Sequence, residues 1–97
     1  MNNITFEWDP IKNKQNQRVH SISFEEAQTV FYDEKARLIP DPKHSDDEER
    51  FIILGFSSKA RLLIVCHCYR QNDEIIRIIS ARKAKKAESK QYIQFNG

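Results

Sequence analysis

Residues 50–80 contain the feature that most restricts the fold of this 97-residue chain. Three runs rich in isoleucine, valine and leucine, at 50–57, 61–69 and 74–80, are separated by the short polar turns SSKA and RQND. Runs of this length and composition are typical of consecutive antiparallel strands. Apolar residues occupy adjacent as well as alternate positions, so we expect both faces of the sheet to be partly covered.

The residues before this meander predict a strand followed by two helices. ITFEW at 4–8 alternates apolar and polar residues and predicts a short strand. Asp9 and Pro10 supply an N-cap and a proline at the first helical position, which predicts a polar helix ending near Arg18. Ser23, followed by glutamate three residues later, forms a capping box and begins a second helix over SFEEAQTVFYD.

A further strand and a closing helix complete the predicted order. ARLI at 36–39 is the candidate strand, a proline-bearing acidic loop follows it, and the closing helix runs from about Ala81 to Ile93. Helices and antiparallel strands that occupy separate blocks of the chain indicate an α+β fold. The length suits a single domain spanning residues 1–97.

Charge divides unevenly along the chain. Residues 1–50 carry 7 Lys/Arg and 11 Asp/Glu, whereas residues 51–97 carry 9 Lys/Arg and 3 Asp/Glu. A basic half of this kind can supply a face that binds anions, and the acidic half can orient it.

Several functional classes are excluded by what the chain lacks. Gly55 and Gly97 are the only glycines, so there is no glycine-rich loop of the nucleotide hydrolases. No apolar run approaches the roughly 20 residues needed to cross a bilayer, and the N-terminus does not resemble a signal peptide. We therefore expect a cytoplasmic protein that does not contact a membrane.

Cys66 and Cys68 are the only cysteines in the chain. On a strand they point to the same face, where they are poorly placed for an ordinary disulfide. A structural zinc site needs further soft ligands at defined spacing, and no second cysteine pair exists. We expect buried, inert thiols and neither a metal site nor a cofactor.

The densest cationic cluster lies in IIRIISARKAKKAE at 75–88. Here an arginine interrupts an apolar strand, and the predicted helix after it begins with positive charge, against the helix macrodipole. Backbone N–H groups at a helix start favour an anion, and guanidinium groups bind phosphate bidentately. The candidate anion-binding residues are Arg61, Arg70, Arg77, Arg82, Lys83, Lys85 and Lys86. The alternative is that each arginine pairs with a carboxylate and that the lysines form a solvated helix face.

HSDDEER at 44–50 offers candidate groups for proton transfer. His44 and Glu49 stand at the entry of the meander, and an imidazole and a carboxylate are the usual general acids and bases. His20 and His67 are weaker candidates, since one ends a predicted helix and the other lies within a strand. A structural role is the alternative for each histidine, and helix capping from Ser45 is the alternative for the acidic run.

Five stretches together resemble the BrnT family of bacterial type II toxins. These are FEWDP at 6–10, VHSISFEEAQTVFYD at 19–33, DPKHSDDEERFIILGFS at 41–57, RLLIVC at 61–66 and IRIISARKA at 76–84. Glu88 and Tyr92 continue the likeness, which covers the chain from about residue 4 to 92. The resemblance implies a RelE-like fold: an N-terminal strand and two helices, then an antiparallel sheet and a C-terminal helix.

The resemblance also implies an activity and its partners. Such toxins cleave RNA without a metal cofactor and thereby stop translation. A BrnA-like antitoxin binds the toxin in a hetero-oligomer and neutralises it. The antitoxin carries the DNA-binding segment, so operator DNA is contacted only through it. A non-catalytic nucleic-acid-binding module and an inactive relative that binds only the antitoxin are the alternatives on the same fold.

The matching motifs imply roles for individual residues. Arg77, Arg82 and Arg61 are expected to hold the scissile phosphate, with Glu49 or His44 as general base or acid. The expected RNA-binding residues are Arg50, Arg70, Ser80, Lys83, Lys85 and Lys86. Tyr69 or Tyr92 is a candidate for base stacking, with packing in the core as the alternative.

The chain departs from the family pattern at two turns, and its own strand alternation raises a geometric question. Ser21 and Ala60 stand where the family often has glycine, which affects the local turn geometry. In a regular strand, side chains alternate between the two faces of the sheet, so Arg77 would point to one face and Ser80 and Arg82 to the other. The two arginines converge only if the strand ends or twists near Ser80.

Overall fold

In the computed structural model, which describes residues 4–41 and 49–96, the chain forms a five-stranded sheet with helices on both faces. The elements in chain order are β1 (Thr5–Glu7), α1 (Pro10–His20), α2 (Phe24–Gln28), a 3-10 turn (Thr29–Tyr32), β2 (Arg37–Pro40), β3 (Phe51–Phe56), β4 (Leu62–Arg70), β5 (Ile75–Lys83) and α3 (Lys86–Asn96). Within the described residues, no helix is both long enough and apolar enough to span a membrane.

The strands are arranged in the order β1-β5-β4-β3-β2. The last four strands of the chain pair antiparallel with their sequence neighbours, whereas β1 pairs in parallel with β5. Because β1 is only three residues long, its partners on β5 end at Arg77, which is opposite Glu7. The remainder of β5 has no strand on that side among the described residues.

One face of the sheet, here called the helix face, packs against α1, α2 and the 3-10 turn. Asp9 and Ser23 cap the two helices by accepting hydrogen bonds from the backbone N–H groups of Ile11 and Glu26. The core between helices and sheet comprises Ile22, Phe24, Ala27, Val30, Ile53, Leu63, Val65, Ile76, Ile78 and Ala81. Burial of these side chains accounts for most of the hydrophobic stabilisation, at about 1.5–3 kcal/mol for each large one.

The opposite face, here called the α3 face, packs against the C-terminal helix. Tyr92 is buried against Leu54 and Ile64, and its hydroxyl donates to Asp33 Oδ2 at 2.8 Å. The same oxygen accepts from the backbone N–H of Phe56 at 2.8 Å. Asp33 thereby ties α3 to the end of β3, and Tyr92 is a core residue.

Two asparagines explain how the polar helix α1 attaches to the sheet. Asn16 is buried, donates to the carbonyl of Ala81 at 2.8 Å and accepts from the N–H of Ala81 at 3.0 Å. Its side chain thus bonds to the edge of β5 as a neighbouring strand does, beyond the end of β1. Asn13, also buried, accepts from the N–H of Phe24 at 2.8 Å and holds the start of α2 against α1.

Gly55 is needed because the chain passes close to other residues there. A β-carbon at this position would lie 2.9 Å from Ala36 Cβ and 3.0 Å from Val30 Cγ1, so the backbone or these neighbours would have to shift. Gly55 therefore lets β3 approach the 3-10 turn and the loop that follows it.

The α+β prediction is confirmed, and each predicted strand has its counterpart. Two predicted helices need correction. The second helix is α-helical only to Gln28 and tightens into a 3-10 turn from Thr29. The closing helix begins at Lys86, because β5 continues to Lys83 and stays paired with β4 there. Arg82 is therefore a strand residue.

Candidate functional site

A β-bulge in β5 decides which side chains share a face. Cys66 on β4 is opposite Ser80, but the next residue, His67, is opposite Ile78. Ile79 is therefore an extra residue on β5 that has no counterpart on β4. An extra residue of this kind reverses the alternation of side chains on one side of the bulge, and bulges are common next to functional sites.

Burial along β5 records the reversal. Ile76, Ile78 and Ala81 all belong to the helix-face core, although strict alternation would place Ala81 on the other face. Arg77 and Arg82 consequently both lie on the α3 face. Their partners on β4, Cys68 and Ile64, are four residues apart, which corresponds to roughly 13 Å along a strand. Ser80 is exposed between them.

Arg82 is held by Glu88 of α3. Its Nη1 and Nη2 groups donate to the two carboxylate oxygens at 2.8 and 2.7 Å, and Nη1 also donates to the carbonyl of Lys83 at 3.2 Å. This bidentate pair raises the pKa of Arg82 and lowers the pKa of Glu88, so both side chains are charged at neutral pH. Arg82 remains 33% exposed.

Glu7 on β1 holds the arginines at the other end of the same face. Arg77 Nη1 donates to Glu7 Oε2 at 3.0 Å. Arg70 approaches the same oxygen, with Nε at 3.9 Å. All three side chains are partly exposed, so the pairs are worth little in stability but fix the directions of two guanidinium groups.

Cys66 lies next to Ser80 on the α3 face, and Arg50 is close to the Cys66 thiol. Cys66 is opposite both Ile52 and Ser80 in the register, and its thiol lies 3.9 Å from Asp41 Oδ2. Burial raises the pKa of the Cys66 thiol, the Asp41 carboxylate raises it further, and the nearby Arg50 charge lowers it. Both cysteines are free thiols, Cys68 is buried, and Cys66 is neutral at physiological pH.

Arg61 lies on the helix face. Its Nε and Nη2 groups bind the Glu26 carboxylate, which also accepts from Ser57 Oγ at 2.7 Å. Its Nη2 also donates to the carbonyl of Ser21 at 3.1 Å. The hydrogen bond from Arg61 lowers the pKa of Glu26, whose side chain is only 2% exposed. The structure does not bring Arg61 beside Arg77 and Arg82.

Comparison with known proteins identifies the family. A family model described as the ribonuclease toxin, BrnT, of type II toxin-antitoxin systems matches residues 8–88. The chain belongs to the BrnT family. The crystal structure of the Brucella abortus ribonuclease toxin BrnT has the same fold, with a TM-score of 0.67 at 20% identity, covering 86% of this chain and 99% of that chain. Among curated proteins, none matches.

On this BrnT fold, the residues predicted to bind RNA divide between two sides. Five lie on the α3 face: Arg50, Arg70, Arg77, Ser80 and Arg82. Lys83 is opposite Leu63 at the end of β5, so its side chain points to the helix face. Lys85 and Lys86 stand at the start of α3, and all three lysines are exposed. Glu49 lines a cleft of about 450 Å³ with Leu38, Phe51, Tyr69 and Asp73.

The cleft beside Glu49 belongs to the helix face, since its aromatic residues pack around the buried imidazole of His67. The ring of Phe51 lies 6.2 Å from that of His67, and the ring of Tyr69 lies 5.3 Å from it. Glu49 therefore lies with this aromatic cluster, away from Arg77 and Arg82. His44 lies outside the described residues.

Three polar residues that position the candidate site were not identified from the sequence. Glu7 and Glu88 set the directions of the arginines, and Asn16 anchors the strand that carries them. The sequence did contain an indication for Asn16. Asparagines at positions 13 and 16 lie three residues apart, on one side of a helix that has almost no apolar face, which is typical of polar side chains that attach the helix to the core. Glu88 was noted only as part of the family likeness.

Proposed function

We propose that this BrnT-family protein is a metal-independent endoribonuclease that cleaves RNA in the cytoplasm, stops translation and is neutralised by a BrnA-like antitoxin. The observation that carries the proposal is the bulge at Ile79. It aligns Arg77, Ser80 and Arg82 on one face of the sheet, with Arg50 and Arg70 around them. The family assignment supports the same reaction class.

Cleavage without a metal requires attack of a ribose 2′-oxygen on the adjacent phosphorus and departure of the 5′-oxygen, which leaves a 2′,3′-cyclic phosphate. The extra negative charge on the phosphoryl oxygens in the transition state is the largest need. Positioned guanidinium groups meet it, and each such donor contributes about 10²–10³ in rate. In the proposal the scissile phosphate lies over Ser80, and Arg77 and Arg82 approach it from opposite sides.

The surrounding residues have lesser roles in the proposal. Lys83, Lys85 and Lys86, which follow Arg82 in the chain, contact flanking phosphates and make RNA binding sensitive to salt. Glu49 and His44 are the sequence-predicted general base and acid. Glu49 lies on the helix face, opposite the face that carries a phosphate over Ser80, so we expect E49Q to leave the pH–rate profile unchanged and H44A to flatten one limb of it. A flattened limb in E49Q contradicts the placement of the phosphate over Ser80.

The family assignment supports the antitoxin part of the proposal. A BrnA-like protein binds the toxin in a hetero-oligomer, and operator DNA is contacted only through that partner. Induction of the toxin alone arrests growth, and co-expression of the antitoxin restores growth. Growth arrest also distinguishes an active toxin from an inactive relative that merely binds the antitoxin.

The decisive experiment incubates RNA with the purified protein in EDTA. We expect the wild type to yield cyclic-phosphate ends and R77A/R82A to lose cleavage by at least about 10²-fold. R18A, which removes an exposed arginine from α1, is the matched control and retains full activity.

Each other result has a definite meaning. Intact RNA with the wild type in EDTA contradicts metal-independent cleavage, and rescue by Mg²⁺ identifies a metal-dependent enzyme instead. Undiminished cleavage by R77A/R82A contradicts the site. RNA binding that persists without any products identifies a non-catalytic binding module.

A further inference from the structure

Glu88 makes three hydrogen bonds that join two elements. Its Oε1 accepts from Arg82 Nη1 at 2.8 Å and from the backbone N–H of Lys85 at 2.7 Å, while Oε2 accepts from Arg82 Nη2 at 2.7 Å. The bond to Lys85 is the backbone half of a capping box, because Glu88 is the third residue of α3. One carboxylate thus fixes both the start of α3 and the arginine on β5.

The contact with Glu88 uses one edge of the Arg82 guanidinium and leaves the other. Glu88 and the carbonyl of Lys83 bind the terminal edge formed by Nη1 and Nη2. Among the described residues, none accepts a hydrogen bond from Arg82 Nε. The lateral edge, formed by Nε and the second Nη2 hydrogen, is the other fork that binds carboxylates and phosphates bidentately.

We propose that Glu88 is a positioning residue that holds Arg82 so that its lateral Nε edge binds a phosphate of the RNA. The proposal rests on the proposed function. Protein donors take three of the roughly four acceptor positions of the Glu88 carboxylate, so it acts through Arg82 instead of accepting a proton from the substrate. A preset arginine loses less rotational freedom when the transition state forms, and small displacements of such groups can cost about 10² in rate.

Two substitutions disturb the contact between Glu88 and Arg82 in different ways. E88D keeps the negative charge at the start of α3 but is one methylene shorter, so it cannot span the cap and both Arg82 nitrogens. E88Q keeps the length but directs an amide N–H₂ toward guanidinium donors. We expect both variants to lower kcat for RNA cleavage about 10–100-fold, with a smaller change in KM.

D9A is the matched control for a lost helix cap. Asp9 Oδ1 accepts from the N–H of Ile11 at 2.9 Å at the start of α1, which packs on the helix face and not on the α3 face that carries Arg82. D9A therefore lowers Tm through the same kind of lost contact but leaves kcat at the wild-type value. Circular dichroism of all variants checks that α3 stays helical.

A double-mutant cycle tests whether Glu88 acts through Arg82. In R82A the effect of E88Q on kcat disappears if the proposal holds, because the group being positioned is absent. Independent, additive losses in R82A/E88Q overturn it. So do E88D and E88Q variants that behave like D9A. Faster cleavage by E88Q also overturns it, since Glu88 then occupies the phosphate site and inhibits the enzyme.

A binding measurement separates this inference from the proposed function. The probe is a 2′-O-methyl oligoribonucleotide, which cannot be cleaved. If the wild type cleaves no RNA, the proposed function fails, and weaker probe binding by E88Q than by D9A still supports the positioning role. Equal affinities in that case overturn both.

Discussion

Arg61 and Arg82 each bind a glutamate through two nitrogens, but the two pairs leave different groups available. Arg61 gives its lateral edge, Nε and Nη2, to the buried Glu26 and a further bond to the carbonyl of Ser21. Arg82 gives its terminal edge to Glu88 and keeps the lateral edge. The first pair is a structural bond, and the second is suited to hold an anion.

The difference reflects the two faces of the sheet. On the helix face, polar groups such as Glu26, Asn16 and His67 are buried and bonded to one another or to the backbone. On the α3 face, Arg77 and Arg82 are one-third exposed and retain donors. A carboxylate partner therefore does not by itself decide whether an arginine is structural. Two features decide this: which edge of the guanidinium the carboxylate occupies, and how deeply the pair is buried.

Exchanging the two arginines for alanine is expected to give opposite results. R82A lowers kcat/KM about 10²–10³-fold, because it removes a transition-state donor, and changes Tm by only a few degrees. R61A leaves the buried Glu26 carboxylate without its cation, which is strongly destabilising, so Tm falls by at least about 10 °C. Cleavage assays at a temperature where both variants are folded, together with thermal unfolding, measure the two effects.

The opposite outcome would place the RNA on the helix face instead of the α3 face. If R61A abolishes cleavage while Tm stays at the wild-type value, Arg61 contacts the RNA, as the sequence pattern suggested. R61A/E26Q is the control for the stability effect, because it removes the unpaired charge and should recover much of the lost Tm.

The arrangement of these arginines shows where sequence reasoning reaches its limit. Runs of isoleucine and valine predicted β3, β4 and β5, and Asp9 and Ser23 predicted the helix starts, because those signals are local. The bulge at Ile79 has no local signal, since an isoleucine pair fits a regular strand equally well. What accompanies it is distant in sequence: Ala81 is bonded to Asn16, 65 residues away, and packs in the core beneath the helices.

The predicted boundary between β5 and α3 was wrong for a related reason. SARKAKKAE has good helix-forming residues, so propensity alone begins a helix near Ala81. Pairing of Arg82 with Ile64 and of Lys83 with Leu63 extends the strand instead, and Glu88 sets the helix start by bonding to Lys85. Tertiary pairing outweighed local preference, and the positive charge on Arg82 belongs to a strand.

His67 provides a second test of the helix face, through pH. The ring is fully buried, its Nδ1 donates to the carbonyl of Val65 at 3.1 Å, and burial lowers its pKa to about 4. Above pH 6.5 both folded and unfolded states hold the neutral form. Below it the unfolded state takes up a proton first, so the free energy of unfolding falls by about 1.4 kcal/mol per pH unit.

Urea denaturation between pH 7 and 5 isolates this effect. The free energy of unfolding is expected to fall by roughly 2 kcal/mol over that range in the wild type and to stay nearly flat in H67Q. The lowered carboxylate pKa values of Glu26, Asp33 and Glu88 reduce stability mainly below about pH 5, at the lower edge of the window, and do so equally in H67Q. H20Q, at an exposed histidine, is the control. An equal slope in H67Q shows that His67 is not the group that responds.

The smallest expected effect concerns the turn that delivers Arg61 to the helix face. Ala60 has φ 58°, in the left-handed region that disfavours any residue with a β-carbon. A60G removes that strain, which outweighs the greater entropy that glycine has in the unfolded chain, and is expected to raise the free energy of unfolding by about 0.5–1 kcal/mol. K59G, in the same turn but not at positive φ, is the control and lowers stability slightly.

Cleavage should be unchanged in A60G, because the turn lies on the helix face. A gain in Tm of about 4 °C with full activity separates the two faces, whereas a loss of activity shows that the Arg61 turn communicates with the α3 face.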